Sequence, residues 1–409
     1  CIQCTLINLR CTAVTNTYQI SVICCFCRCF HIHIMKKIIK CGQFFDSNTG
    51  KVLKDIAVVI DGNKIAEVAP AADVCCKDAE VIDLSGKFVM PGLIDAHVHI
   101  NMNGEASIQY AVTSDAATAI NSMIYAQRDL MAGFTTLRDE GAQGYSDVAV
   151  RDAINAGKIV GPRISCSGEA IGGTGGHADS HFLPCVTGKH AFGQIIDGPD
   201  AGRKAARTAF KYGADQIKIM ATGGVMSFGD EPGAPELTYE EMKAIIDVAA
   251  SKGKITSAHA HGAEGIKIAV RAGITSIEHG MLMDEGCMDM MAEHGTYLIP
   301  TIIAAHNIVV NGVASGIPAW AVEKAERCLE NHYENLKKCM AKGVKIGFGT
   351  DTGTPFNRHG AQAFEFELMK KAGFTTEYIL QAATRINAEM MKMDKQIGTI
   401  ETGKLADIV

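Results

Sequence analysis

From Met35 to about Lys87 the apolar and polar positions follow short strand patterns. Ile56-Ala57-Val58-Val59-Ile60, a turn at Asp61-Gly62 and Lys64-Ile65-Ala66-Glu67-Val68 together predict a β-hairpin. Val81–Leu84 and Lys87–Val89 add further strands. Beyond this the pattern changes: short apolar runs at 93–100, 135–139, 163–167, 216–221, 254–260, 275–279, 296–301 and 345–351 alternate with helical periodicity, as in 239–251 and 319–341. Eight strands alternating with helices predict an α/β fold, a (β/α)8 TIM barrel. A doubly wound sheet would carry a G-x-G-x-x-G opening a helix after the first strand, and this chain has none there. The tail from Gly398 to Val409 returns to strand-like sequence. The expected organisation is a barrel over 91–395 and a small β-sandwich domain formed from the N- and C-terminal segments, 35–90 and 396–409, with the tail truncated.

Residues 1–34 follow neither pattern. Seven of the fifteen cysteines fall in the first 29 residues, with no clear helical or strand period. Ile20 to Ile34 is apolar but interrupted by Arg28, His31 and His33, and no small-residue cleavage site follows. Met35-Lys36-Lys37 reads as the native start, so 1–34 is expected to be a non-native or disordered leader. The other cysteines are scattered and form no pair of C-x-x-C motifs, which argues against a zinc ribbon and for a reducing, cytoplasmic setting. A net charge of −6 without a basic cluster argues against a nucleic-acid partner. The expected partner is a small-molecule substrate, with no membrane, in a homo-oligomer.

The candidate chemistry lies at the strand ends. Residues i and i+2 of a strand share a face, so His97 and His99 can present two imidazoles together. Lys218 lies on the fourth strand, His259 and His261 end the fifth, His279 the sixth and Asp351 the eighth. Singly, Lys218 could snorkel, His279 could be a hydrogen-bonded core histidine and Asp351 could cap a helix. Converging on one barrel mouth, they make a nitrogen- and oxygen-rich set suited to a zinc-class metal. Two glycine-rich loops, 172–179 and 222–224, flank the mouth. Their backbone N–H groups are expected to form anion-binding nests for a substrate carboxylate at Gly223 and Gly224, with His177 assisting and Arg358 and His359 adding charge.

Pro91-Gly-Leu-Ile-Asp-Ala-His-Val-His99 resembles the signature of the metal-dependent amidohydrolase superfamily. Asp215–Val225, Ser257–Gly262, Ser276–Gly280 and Gly347–Asp351 extend the likeness to the imidazolonepropionase-related branch, which includes binuclear Xaa-Pro and Xaa-Arg dipeptidases. The resemblance implies that His97, His99 and Asp351 hold the more buried of two divalent ions, zinc being the expected metal. It implies that His259 and His279 hold the other, and that a CO2-derived carbamate on Lys218 bridges both. Asp351 would act as general base and then general acid for a bridging hydroxide, cleaving a C–N amide bond of a dipeptide or N-acyl amino acid. The motif assigns His259 as the ligand and leaves His261 to face substrate. The alternatives are a cyclic-amide (imidazolone-like) hydrolase; a mononuclear deaminase using His261 and Glu264, an H-x-x-E string; and a non-catalytic structural relative.

Overall fold

The computed structural model describes residues 7–13, 16–22, 36–105, 113–179 and 193–409. Most of the expected leader and the start at Met35 lie outside the described residues. Within the leader, Ile7–Ala13 (β1) pairs antiparallel with Asn16–Val22 (β2), although no strand period was expected there. Both runs contain β-branched Ile, Thr or Val, which favour extended backbone without strict alternation.

The chain divides into two compact units: Cys1–Ile94 with Leu130–Thr136 and Thr375–Val409, and Asp95–Asp129 with Leu137–Phe374. In the first, Lys36–Asp46 (β3), Lys51–Asp61 (β4), Lys64–Pro70 (β5) and Ala79–Val89 (β6) form a mixed sheet in the order β5-β4-β3-β6. The predicted hairpin is β4–β5, turning at Gly62, whose φ of 65° suits glycine. The strands expected at 81–84 and 87–89 are one continuous strand, β6. One core holds Ile39, Phe44, Val58 and Ile65 from the sheet with Ile400, Ala406 and Ile408 from the tail. The tail joins by the isolated bridges Lys64–Leu405 and Pro91–Ile408 and adds no continuous strand of its own among the described residues. Turns break up the tail, and Gly403 at φ 92° interrupts any longer pairing.

Beyond β6 come Leu93–Val98 (β7), Phe134–Asp139 (β8), Arg163–Cys166 (β9), Ala170–Gly173 (β10), Gly193–Ile196 (β11), Ile217–Met220 (β12), Thr256–Gly262 (β13), Ser276–Leu282 (β14) and Tyr297–Ile299 (β15). They make a three-stranded sheet, β7-β8-β9, and a six-stranded parallel sheet, β11-β10-β12-β13-β14-β15. All residues of β7, β8, β12 and β13 are buried, as expected of strands covered on both faces. Single bonds link the two sheets. The Cys166 carbonyl accepts the N–H groups of Asp215 and Gln216 at 2.7 and 3.2 Å. The segment expected as the eighth strand, 345–351, is not a continuous strand: it makes the isolated bridges Leu298–Ile346 and, one residue beyond it, Val98–Thr352, with single backbone bonds to Leu298 on one side and to Ala96 and His97 on the other. No continuous closed ladder forms among the described residues. Gly347 and Gly349 weaken pairing there, and a Cβ on Gly349 would lie 2.4 Å from Ile299 and 3.0 Å from the His97 side chain.

The helix predicted at 239–251 is Tyr239–Ala250, opened by a capping box between Thr238 and Glu241. The one predicted at 319–341 is two helices, Ala319–Glu330 and His332–Ala341, separated at Asn331, a poor residue for a helix interior.

Candidate metal centre

His97, on β7, and His99, one residue past its end, reach one place, where both Nε2 atoms meet Asp351. His97 Nε2 lies 3.4 Å and His99 Nε2 3.3 Å from Asp351 Oδ1. Each ring is tied by its other nitrogen: His97 Nδ1–H donates to Glu278 Oε2 at 2.8 Å, and His99 Nδ1–H to the Gly141 carbonyl at 3.0 Å. These bonds fix the tautomer and leave both Nε2 lone pairs facing inward, the usual preparation of a metal-binding histidine. One ligand atom from each of His97, His99 and Asp351 lies within 4.8 Å of the others.

Charge follows the same grouping. Burial alone would raise Asp351, but the surrounding imidazoles of His97 and His99 hold its carboxyl below the usual range. Burial opposes charge on His99 too, yet Asp351 outweighs it and raises the ring's pKa. His97 lies well below the ordinary value through burial and the nearby Lys218 ammonium.

Lys218, on β12, is fully buried, with Nζ 3.5 Å from His97 Nε2 and 3.1 Å from Glu140 Oε2. Glu140 in turn accepts from Ser257 Oγ at 2.5 Å and Gln216 Nε2 at 2.9 Å. Arg138, entirely buried, connects Glu140 to Glu278 at 3.0 and 2.8 Å. The sequence reading missed Arg138, Glu140 and Glu278. A usable signal was present: charged residues within or at the end of apolar strands, as in Thr-Leu-Arg-Asp-Glu and Ser-Ile-Glu-His, must be paired if buried.

The other histidines gather beside this group. The rings of His259 and His279 are 4.7 Å apart, and His279 lies 5.0 Å from both His97 and His261. His259 Nε2–H donates to the Gly223 carbonyl at 3.2 Å, leaving Nδ1 as its lone-pair nitrogen. His279 Nδ1 bonds Thr301 Oγ1 at 2.6 Å, leaving Nε2. Burial and neighbouring imidazoles hold both rings well below the usual histidine range. His261 is buried, its Nδ1 has no hydrogen-bond partner, and burial pushes its pKa down to about 3. His279, Thr301 and Asp351 all adopt left-handed backbone, at φ 71°, 43° and 59°. Such strain in residues with a Cβ gathers where a site over-determines the geometry.

These residues open on a cavity of about 220 Å³. Its lining joins all five histidines above, His177, Lys218 and Asp351 to an apolar group that includes Val225, Met281, Ile308 and Trp320, with Glu105 and Asp179 also present.

The other sequence-derived candidates separate. His177 lines the cavity, stacked on His259 at 4.3 Å, with burial lowering its pKa to about 4. The N–H groups expected to hold a substrate carboxylate at Gly223 and Gly224, and that of His177, are already spent. Gly223 N–H donates to the Ala234 carbonyl, Gly224 N–H to Asp230 Oδ2, and His177 N–H to Glu236 Oε1. Glycine is needed here for close approach instead: a Cβ on Gly224 would lie 2.1 Å from the His177 ring, and one on Gly223 2.4 Å from the Glu231 carbonyl oxygen. Arg358 is exposed, and neither it nor His359 lines the cavity. His359 spends both ring nitrogens on Asp129, at 2.8 Å, and the Met102 carbonyl, at 3.0 Å, and stacks on Tyr125. Glu264 is exposed, pairs with Lys267 and stands outside the cavity, which removes the proton shuttle of the deaminase reading.

The cysteines in the described region from residue 36 onward are free, and no described helix is long and apolar enough to cross a membrane.

The parallel sheets and the histidine–carboxylate centre define a class, and comparison names it. Residues 88–409 match the Amidohydrolase family, and the chain belongs to that family. It is 32% identical to ochratoxinase of Aspergillus niger over 356 residues, which are 82% of this chain and 72% of that one. It is 22% identical to imidazolonepropionase of Picrophilus torridus over 376 residues, 89% of this chain and 88% of that one. A crystal structure of a Xaa-Pro dipeptidase with methionine bound in its active site superposes with a TM-score of 0.84 at 36% identity, covering 91% of this chain and 93% of that one. The chain is thus a hydrolase acting on carbon–nitrogen bonds, and its family and structural neighbours imply a TIM barrel with a sheet domain.

Proposed function

We propose that the protein is a binuclear, carbamate-bridged amide hydrolase acting on a dipeptide or N-acyl amino acid. The observation that carries this reading is the convergence of His97 Nε2, His99 Nε2 and Asp351 Oδ1 within 4.8 Å, with both Nδ1–H groups tied elsewhere. This donor set fits a zinc-class ion. Lys218, His259 Nδ1 and His279 Nε2 supply further donors beside it, for a second ion. Divalent metals held here would supply Lewis acidity and a nucleophile active at neutral pH. Barrel closure, in this reading, runs through the 345–351 segment.

The chain's own residues do the rest. Asp351, held anionic by His97 and His99, accepts a proton and returns it to the leaving amine. Lys218 Nζ, as the free amine, adds CO2 and loses a proton, and the resulting anionic carbamate can ligate where an ammonium cannot. The apolar lining around Met281, Ile308 and Trp320 receives a substrate side chain and excludes water.

The test is Lys218→Ala. Elemental analysis should find about two ions per wild-type chain, on the coordination logic of. The variant should lose most of that metal and its hydrolysis of a dipeptide and N-acyl amino acid library, with short carboxylic acids partly restoring both. Unchanged metal content and turnover would rule out the carbamate.

A further inference from the structure

The loop after β12 ends in a buried hydrogen-bond chain that the reaction outlined above does not use. Lys324, on the helix Ala319–Glu330, is buried. Its Nζ shares three N–H groups among four acceptors: the carbonyls of Gly224, Ser227 and Asp230 at 3.2, 2.8 and 2.6 Å, and Asp230 Oδ1 at 2.9 Å. Asp230 Oδ2 accepts from Gly224 N–H at 3.0 Å and from Ser227 Oγ at 2.5 Å. Ser227 Oγ lies 2.7 Å from His177 Nδ1. His177 stacks on His259 and lines the cavity.

Donor accounting sets the direction of this chain. Asp230, paired with an ammonium, is an ionised carboxylate and can only accept. Ser227 has one O–H, which goes to Asp230, so toward His177 its oxygen can only accept. The Nδ1 of His177 must therefore carry the hydrogen. A neutral ring protonated at Nδ1 has a bare lone pair at Nε2, its remaining polar atom.

We infer that Lys324, Asp230 and Ser227 are positioning residues that lock His177 as a hydrogen-bond acceptor at Nε2, so that the substrate meets it with an N–H donor. A carboxylate or carbonyl oxygen would face that lone pair unfavourably, which reverses the carboxylate-binding role expected of His177. The lining carboxylates Asp179 and Glu105 favour the same donor chemistry, since both attract an amine. Two groups of an amide substrate offer such a donor: the free α-amine of a dipeptide and the scissile amide N–H. The inference rests on the proposed function for its substrate class but not for the tautomer.

The experiment has two readouts. Long-range 1H–15N spectra of the zinc-loaded, histidine-labelled enzyme, with His177 assigned by His177→Phe, should show hydrogen on Nδ1 and none on Nε2. Ser227→Ala should mix the tautomers and Ser227→Thr restore the single form. A wild-type ring protonated at Nε2 overturns the proposal. The second readout is kcat/KM for His177→Phe and Ser227→Ala on three substrates: a dipeptide, its desamino counterpart and the dipeptide N-methylated at the scissile amide. Loss of one hydrogen bond should cost about fivefold on the dipeptide, mainly in KM. The cost should vanish for the desamino compound if the α-amine is the donor, or for the N-methyl compound if the amide is. An equal cost on all three overturns the donor assignment. If the wild type hydrolyses none of them, the proposed function fails and the spectra alone decide the tautomer.

Discussion

The two histidine groups at the cavity are built differently. His97 and His99 come from the end of one strand and the residue just past it, two residues apart, and each is anchored at Nδ1 by a fixed acceptor. Behind His97 stands a buried charge network, Glu278, Arg138 and Glu140, which ends at Lys218. His259, His261 and His279 sit ring against ring on two neighbouring strands, with lighter support: a carbonyl for His259, a hydroxyl for His279, and no partner for His261 Nδ1. Only the first group has its ligand atoms gathered with a carboxylate. Burial opposes charge on the imidazoles of both groups, and Asp351 outweighs it at His99, while His97 and His261 stay below the ordinary range. A site organised by a buried carboxylate network can bind a cation with little rearrangement. One organised by stacked neutral rings needs the cation to align it.

That contrast can be broken by substitution, and the largest effect is expected at Asp351. Asp351→Asn keeps the shape and one oxygen but cannot take a proton, so kcat should fall about 10²–10⁴-fold with a smaller change in KM. Metal content must be measured alongside, because Asp351 is also a proposed ligand. A variant with full metal and near wild-type kcat would make Asp351 structural.

Next is Glu278→Gln, which removes the anion behind His97 while keeping its size. Loss of such an outer-shell carboxylate typically costs about 10–100-fold in metal affinity. Chelator competition should show that loss at the tighter site, with the thermal midpoint of the metal-free enzyme recorded to separate folding from binding. Unchanged affinity would mean that the Arg138 network serves packing alone.

The smallest effect is expected at Thr301→Val, which removes the neutral hydroxyl supporting His279. One such hydrogen bond is worth about 1 kcal/mol, or roughly fivefold in affinity for the weaker site. A loss as large as that of Glu278→Gln would erase the distinction between the two groups.

The sequence by itself determined the donor inventory. Strand periodicity put His97 and His99 on one face, and the strand–helix alternation put Lys218, His259, His279 and Asp351 on or next to strands of the same fold. It also marked the hairpin at Gly62 and the tail that shares a core with the first sheet. Tertiary structure decided everything that depends on partners distant in the chain. His97 owes its tautomer to Glu278, 181 residues away, and Lys218 has Glu140 for a neighbour. The glycine loops looked like anion nests because local sequence shows which N–H groups exist, but not which carbonyls and carboxylates consume them. Gly224 spends its own on Asp230. Arg358 and His359 misled for the same reason, and Glu264, offered only by the deaminase alternative, falls with it. Proximity in sequence to Asp351 or His261 does not fix direction, and packing turned His359 onto Asp129 and left Glu264 in solvent. A period of two residues specifies a face; only folding specifies what that face meets.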